Sequence, residues 1–161
     1  ANNFGNLCQR VTTFALKNCD GKIPDNIKFE PEDLTILDKF KINLNLIRSK
    51  IDKQDINFYI DFIVNSLFDA NKYFNDQEPW KKKNNQVRLN TIVYTTLEIV
   101  RKISYLLYPI IPQSSLKALK IFNIKENQIE FSTLDNHNFL KNSDNINKID
   151  ILFKKIEKTN D

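Results

Sequence analysis

The chain has 161 residues, 41% of them apolar, with 24 Lys and Arg against 20 Asp and Glu and a pI near 9.0. That is enough apolar material to close one domain around its own core, and a net charge of +4 permits an anionic partner without requiring one. Cys8 and Cys19 form no metal-ligand or redox spacing, and two cysteines in a chain of this length exclude a disulfide framework, so reduced thiols are expected, with Cys8 buried.

No run of about 18 apolar residues and no basic-apolar-small signal at the amino end is present, so a soluble, cytoplasmic protein with no membrane partner is expected. Met is absent, and Ala1 to Phe4 already sit inside a helical pattern, as in a piece cut from a longer chain. The heavy use of Asn, Lys and Ile fits AT-rich codon usage better than a prion-like segment.

In chain order, Phe4, Leu7, Cys8, Val11, Phe14 and Ala15 recur at helical spacing, and Asp20-Gly21 can take the left-handed conformation that ends such a helix, which places a first helix at about residues 1 to 19. After a polar, proline-containing connection, Pro31-Glu32-Asp33 reads as a helix start. That second helix carries Leu37, Phe40, Leu44, Ile47 and Ile51. Asp55 opens a third pattern of Ile56, Ile60, Ile63, Leu67, Ala70 and Phe74, which Pro79 terminates.

The fourth pattern is broader. Ile92, Thr96, Ile99, Ile103, Leu106 and Ile110 form one stripe, and Val93, Leu97, Val100, Ser104 and Leu107 form another beside it. Two adjoining stripes describe a helix buried on most of its circumference, the central member of a bundle. Pro109 and Pro112 end it, and Gln113-Ser114-Ser115 can cap a short helix running to about Phe122. Residues 123 to 148 are polar and aperiodic, hence loop-rich. The tail from Ile149 to Glu157 offers Ile151, Leu152, Phe153 and Ile156 for a last turn or an extended segment docked on the core. The expected architecture is all-α, a bundle of about five helices over residues 1–122 with a loop-rich extension over 123–161 packing back on it as part of the same domain.

The chemistry of catalysis is missing. With only Gly5 and Gly21 there is no Gly-rich phosphate loop, no paired carboxylates stand out, Ser114-Ser115 has no partner histidine in a motif, and His137 has no metal spacing around it. An autonomous catalyst is not expected, nor any catalytic residue, metal or cofactor within these residues.

What stands out is Trp80, the single tryptophan, following Pro79 at the break between two helices and followed by Lys81, Lys82 and Lys83. A flat indole beside cations can stack an unpaired base near neutralised phosphates. The competing interpretations are an aromatic lid closing the end of the bundle and a solvated helix start. Asn6 and Arg10, four residues apart, share a helix face distinct from the apolar stripe. An amide beside a planar fork of donors can read the edge of a base, although ordinary solvated residues give the same spacing.

Three segments in order, Ala1-Asn-Asn-Phe-Gly-Asn-Leu-Cys-Gln-Arg10, Ala70-Asn-Lys-Tyr-Phe-Asn-Asp-Gln-Glu-Pro-Trp80 and Leu97 to Gln113 with Pro109 and Pro112, resemble the carboxy-terminal anticodon-binding domain of bacterial methionyl-tRNA synthetases, which are class I aminoacyl-tRNA synthetases. The family pattern Gly-Asn-Leu-x-x-Arg falls on Gly5 to Arg10, and the resemblance covers about residues 1 to 122. It implies anticodon contacts for Asn6, Arg10 and Trp80, in a site between the first helix and the start of the fourth, with Lys81, Lys82 and Lys83 as candidates for tRNA phosphates.

The resemblance also implies that this module recognises the CAU anticodon of tRNA(Met), and that the parent ligates methionine to tRNA(Met) with ATP and Mg. The parent's catalytic domain, with its zinc-bearing insertion, lies outside these residues and is a partner in the same chain. The tail Leu152-Phe-Lys-Lys-Ile-Glu157 is similar to the family's end segment, but Lys154 stands where the family has proline and Lys155 where it has arginine. The rivals are the helical anticodon domain of another class I synthetase, such as the leucyl, valyl or cysteinyl enzyme, and a helical protein-interaction module.

Overall fold

In the computed structural model, residues 2–52 and 55–149 are described; within the second helix, nothing is described of the side chains of 42–44 and 50–52. Five α-helices make the body: α1 Asn2–Asn18, α2 Pro31–Asp52, α3 Ile56–Gln77, α4 Gln86–Leu107 and α5 Pro112–Leu119. Short 3₁₀ turns follow at Pro79–Lys81, Lys120–Phe122, Glu126–Gln128 and Phe131–Asp135. Among the described residues the only strand-like pairing is one isolated antiparallel bridge, Lys22 with Asn145, so the fold is all-α.

α4 is the axis. Every residue from Arg88 to Leu107 is buried, as its two apolar stripes predict, because α1, α2, α3 and α5 all pack on it. α1 turns Phe4, Leu7, Cys8, Val11 and Ala15 inward and ends where Asp20 and Gly21 both take positive φ, at 55° and 67°. α2 starts at Pro31, whose missing N–H is one the first turn would leave unpaired anyway, and Asp33 Oδ2 accepts from Glu30 N at 2.9 Å. Ile36, Leu37, Phe40 and Ile47 face the core, while Leu44 and Ile51 fall on side chains outside the described set.

α3 corrects one expectation. Ile63, Leu67, Ala70 and Phe74 are buried, but Ile56 is 55% exposed and Ile60 40% exposed. The first turns of α3 are instead anchored by Tyr59, buried with its hydroxyl donating to the Leu106 carbonyl. The inward face is therefore 59, 63, 66–67, 70 and 73–74, and Ile56, Ile60, Val64 and Phe68 line the outward side. Asp55 caps α3 by accepting from Phe58 N at 3.2 Å.

Two boundaries near Pro112 also differ from expectation. α4 stops at Leu107, so Ile110 lies beyond the helix and is partly exposed. α5 then begins at Pro112 itself, with Ile111 at the cap position, and Ser114 and Ser115 sit inside the helix as buried residues. The fixed φ of proline suits the first helical position, and Ser115 Oγ donates to the Ser104 carbonyl at 2.5 Å, joining α5 to α4 instead of capping.

Residues 123–149 contact the bundle through polar groups. Tyr94 Oη donates to Leu140 O at 2.7 Å, Leu140 N donates to Glu98 Oε2 at 2.7 Å, and Arg101 donates to Asn136 O at 2.9 Å and Thr133 O at 3.2 Å while pairing with Glu98 at 2.8 Å. Lys102 Nζ donates to the carbonyls of Leu134 and Asn136 and meets His137 Nδ1 at 3.1 Å. His137, without a role in the sequence reading, has Nε2 2.9 Å from Asp38 Oδ1 on α2. Glu98, Arg101 and Lys102 are all fully buried, and a buried charge persists only when paired and hydrogen-bonded. The tail residues Ile151 to Glu157, with the docking expected for them, lie outside the described residues.

Candidate nucleic-acid interface

The exposed side of α1 follows from its buried side. With Phe4, Leu7, Cys8, Val11 and Ala15 turned inward, Asn3, Asn6, Gln9, Arg10, Thr13 and Lys17 must face out, and all six are exposed. They form a hydrogen-bonding row along the whole helix. The carboxy-terminal end of α3 lies against this row and supplies Asn71, Phe74 and Asn75.

The break after α3 is built by backbone geometry. Glu78 takes φ 49°, ψ 59°, a left-handed conformation that glycine usually occupies, at a cost of order 1–2 kcal/mol for a residue with a Cβ. Pro79 next to it disfavours continuing the right-handed helix and is itself buried. A polar clamp holds the turn: Arg88 donates to Asp33 Oδ2 at 2.7 Å and Oδ1 at 3.1 Å, to Gln77 Oε1 at 2.7 Å, and reaches Glu30 at 2.8 Å, while the Tyr73 hydroxyl donates to Asp33. Burial, with the Asp33 carboxylate beside it, pushes the Tyr73 phenol up. Asp33 is fully buried, so the clamp is rigid, and it fixes where the next residue points.

That residue is Trp80, 41% exposed, with its ring 6.0 Å from Phe74 at an interplanar angle of 62°. Phe14 meets Phe74 edge-on at 6.0 Å and 86°, and the Arg10 guanidinium lies 5.3 Å from the Phe74 ring centre. Arg10 Nη2 donates to Asn75 Oδ1 at 2.5 Å. The result is a cavity of about 630 Å³ whose walls include Asn6, Arg10 and Trp80 together with Asn71 and Phe74. Residues some seventy positions apart in sequence are thus brought together. The site is formed by α1 and the end of α3 with its 3₁₀ turn, not by the start of α4 as the sequence suggested.

Bonding capacity is left over on these walls. Asn6 meets no hydrogen-bond partner among the described residues, the indole N–H of Trp80 meets none, and Arg10 spends one of its five N–H donors on Asn75. The lysines are less available than their run suggests. Lys81 pairs with Glu78 at 2.7 Å, and that contact lowers the Glu78 carboxyl below its ordinary range and raises Lys81. Lys82 Nζ donates to Gln77 O at 2.7 Å, closing the end of α3. Lys83 is exposed and has no partner among the described residues.

The family described as the anticodon binding domain of methionyl tRNA ligase matches residues 23–161. The chain belongs to that family. Methionine–tRNA ligase of Brucella suis biovar 1 is 35% identical over 133 residues, 82% of this chain and 26% of the relative, and that of Mycobacterium leprae is 34% identical over 139 residues, 83% of this chain and 26% of the relative. Crystal structures of Mycobacterium tuberculosis methionyl-tRNA synthetase superimpose with TM-scores of 0.83 in the free state and 0.85 with methionyl-adenylate bound. Those two pairs are 32% and 31% identical, covering 91% and 93% of this chain and 30% of the synthetase in each case.

The chain thus spans about a quarter of the length of the methionine–tRNA ligases it matches. The family match begins at residue 23, after α1, so Asn6 and Arg10 stand outside it while Trp80 stands inside. Sequence reasoning missed Asn75, which holds Arg10, and the aromatic floor of Phe14 and Phe74. Both rings fit the apolar stripe of their helix, so periodicity assigned them to the core. Thr13 and Lys17 were missed too, although they continue the α1 row at the spacing that singled out Asn6 and Arg10.

Proposed function

We propose that this chain is the module with which a methionine–tRNA ligase reads the CAU anticodon of tRNA(Met). Trp80 offers its exposed face to an unstacked base, a contact of about 1–3 kcal/mol per base. Asn6 and Arg10 select, because a wrong base leaves donors or acceptors unpaired in a desolvated cavity. Asn75 and the Phe74 ring hold the guanidinium in place before the RNA arrives. The observation that carries the reading is the meeting of Asn6, Arg10 and Trp80 in one cavity with most of their hydrogen-bonding capacity unspent.

The parent protein, in this reading, activates methionine with ATP and Mg and ligates it to tRNA(Met) in the cytoplasm. ATP, Mg and a zinc-bearing insertion belong to its catalytic domain, the module's partner in the same chain. Among the described residues no group of three or more His, Cys, Asp or Glu could hold a metal ion, and no helix is long and apolar enough to cross a membrane.

The test is binding of labelled anticodon stem-loops, CAU against single-base variants. Asn6→Ala and Arg10→Ala are expected to bind CAU more weakly and to flatten the preference for it. Preference for a leucine, valine or cysteine anticodon would assign the module to another synthetase, and affinity indifferent to all anticodon bases would leave a protein-interaction role.

A further inference from the structure

Beyond Lys17 the α1 row runs into a second cavity, about 500 Å³, between the end of α1, the 20–25 turn and the first turn of α4. It shares Asn18 with the first cavity and so lies next to it along α1. Its walls are polar, and their bonding is lopsided. Asn90 is spent at both ends: Nδ2 donates to Asp25 O at 3.1 Å and Oδ1 accepts from Gln86 Nε2 at 2.8 Å. Asn18 Nδ2 donates to Phe14 O at 3.0 Å. That leaves Asn18 Oδ1 and Gln86 Oε1 with no donor among the described residues, both on a cavity to which Asp20, Lys22 and Asp25 also contribute.

Two acceptors without a donor suit a ligand that presents N–H groups, and each of the two amides keeps a second N–H to donate in return. The carboxylates of Asp20 and Asp25 repel phosphate, so a nucleotide entering here turns its base toward the two amides and leaves its phosphate to the cations, the exposed Lys22 on the wall of this cavity and Lys17 on the wall of the first, neither with an ion-pair partner among the described residues. Amino-bearing bases present such donors, and uracil presents no exocyclic one. Along α1, Arg10 and Asn18 are about 12 Å apart, several base-stacking steps of about 3.4 Å, so the occupant is a different nucleotide from those at Trp80.

We propose that this pocket is a second nucleotide subsite, holding an amino-bearing base that flanks the anticodon, with Asn18 Oδ1 and Gln86 Oε1 as its acceptors, Lys22 on its own phosphate and Lys17 on the phosphate toward the first cavity. The proposal rests on the anticodon reading above, and its test separates the two.

Fluorescence anisotropy is measured with CAU stem-loops in which each nucleotide next to the triplet is in turn adenosine, uridine or abasic. At one flank, removing the amino-bearing base is expected to weaken binding by about threefold to tenfold, the loss of one or two hydrogen bonds. In Gln86→Ala and Asn18→Ala that penalty shrinks toward onefold, while in Trp80→Ala it persists on a weaker baseline. Thermal melts by circular dichroism confirm that the variants fold, and the exposed Gln86 serves as the primary variant. An equal penalty in wild type and both pocket variants, or none at either flank, overturns the subsite. If binding ignores the CAU bases but keeps the flank penalty, the anticodon reading fails and the subsite stands.

Discussion

Two arginines of this chain lie over phenylalanine rings, and they do opposite things. Arg101 sits 4.3 Å from the Phe139 ring centre and 5.1 Å from that of Tyr105, fully buried, with Glu98, Thr133 and Asn136 taking its donors. Arg10 sits 5.3 Å from the Phe74 ring centre, exposed, with Asn75 alone taking one donor. Stacking a guanidinium on a ring therefore says nothing about role. What separates a structural cation from a reading one is whether the fold has already used its hydrogen-bonding capacity.

The sharpest way to break that contrast is to remove each member. Arg101→Leu leaves Glu98 buried and uncompensated, and urea denaturation is expected to show a loss of about 3–5 kcal/mol. Arg10→Ala exposes nothing that was buried with a charge, so its melt should lie close to wild type while its RNA binding falls. Equal destabilisation by the two substitutions would abolish the distinction. Trp80→Ala follows in size: the indole is partly exposed, and the expected loss is about 1–3 kcal/mol of stem-loop affinity with the fold retained. A large drop in stability with unchanged RNA affinity would make Trp80 the lid that the sequence left open.

The buried region also has a pH signature that the exposed one lacks. Burial, reinforced by neighbouring Arg101 and opposed by Glu98, Asp135 and Asp38, pushes Lys102 down to about 7. Burial likewise holds His137 below its ordinary value, with Asp38 opposing and Lys102 assisting. Both groups bind protons more readily unfolded than folded, so stability rises with pH wherever the unfolded chain holds the extra proton. For Lys102 that window opens near pH 7 and runs upward. It is best read to about pH 8.5, because above that the neutral Cys8 thiol and the Tyr59, Tyr73 and Tyr94 phenols, all pushed up by burial, reverse the slope as their unfolded forms ionise. Urea midpoints should climb between pH 7 and 8.5 in wild type and stay flat in Lys102→Met. An equally steep climb in the variant would remove Lys102 as the cause.

The same contrast decides what was legible in the sequence. Helices and their order follow from apolar spacing, and α4 announces its burial through two adjacent stripes. The start of α3 misled because Ile56 keeps the bearing of Ile63 to within about 20° yet lies in a first turn that the core does not reach, where Tyr59 is the first buried side chain. Glu98, Arg101 and Lys102 gave no sign of burial, since their partners in an aperiodic segment about thirty to forty residues away are backbone groups, an N–H for Glu98 and carbonyls for Arg101 and Lys102. Hydrogen bonding to backbone carries no sequence pattern. That Asn6, Arg10 and Trp80 meet on one cavity was legible only through the family motif they resemble, because ordinary solvated residues on α1 and a lid at the end of α3 would show the same spacing.

The smallest effect lies in the lysine run, where the contrast between spent and unspent groups recurs within three residues. Lys81 is tied to Glu78 and Lys82 to the Gln77 carbonyl, whereas Lys83 has no described partner. A lysine that neutralises one phosphate of a single strand contributes about 0.7 to the slope of log affinity against log salt. Lys83→Ala is thus expected to lower that slope by about this amount, equally for CAU and altered stem-loops because phosphate contacts carry no base information. Lys81→Ala should lower it less, since Glu78 already compensates that charge. Equal slopes for the two variants would mean that Glu78 releases Lys81 when RNA binds; no change in either would put the phosphates on another side of Trp80, with Lys17 along α1 the next cation to substitute.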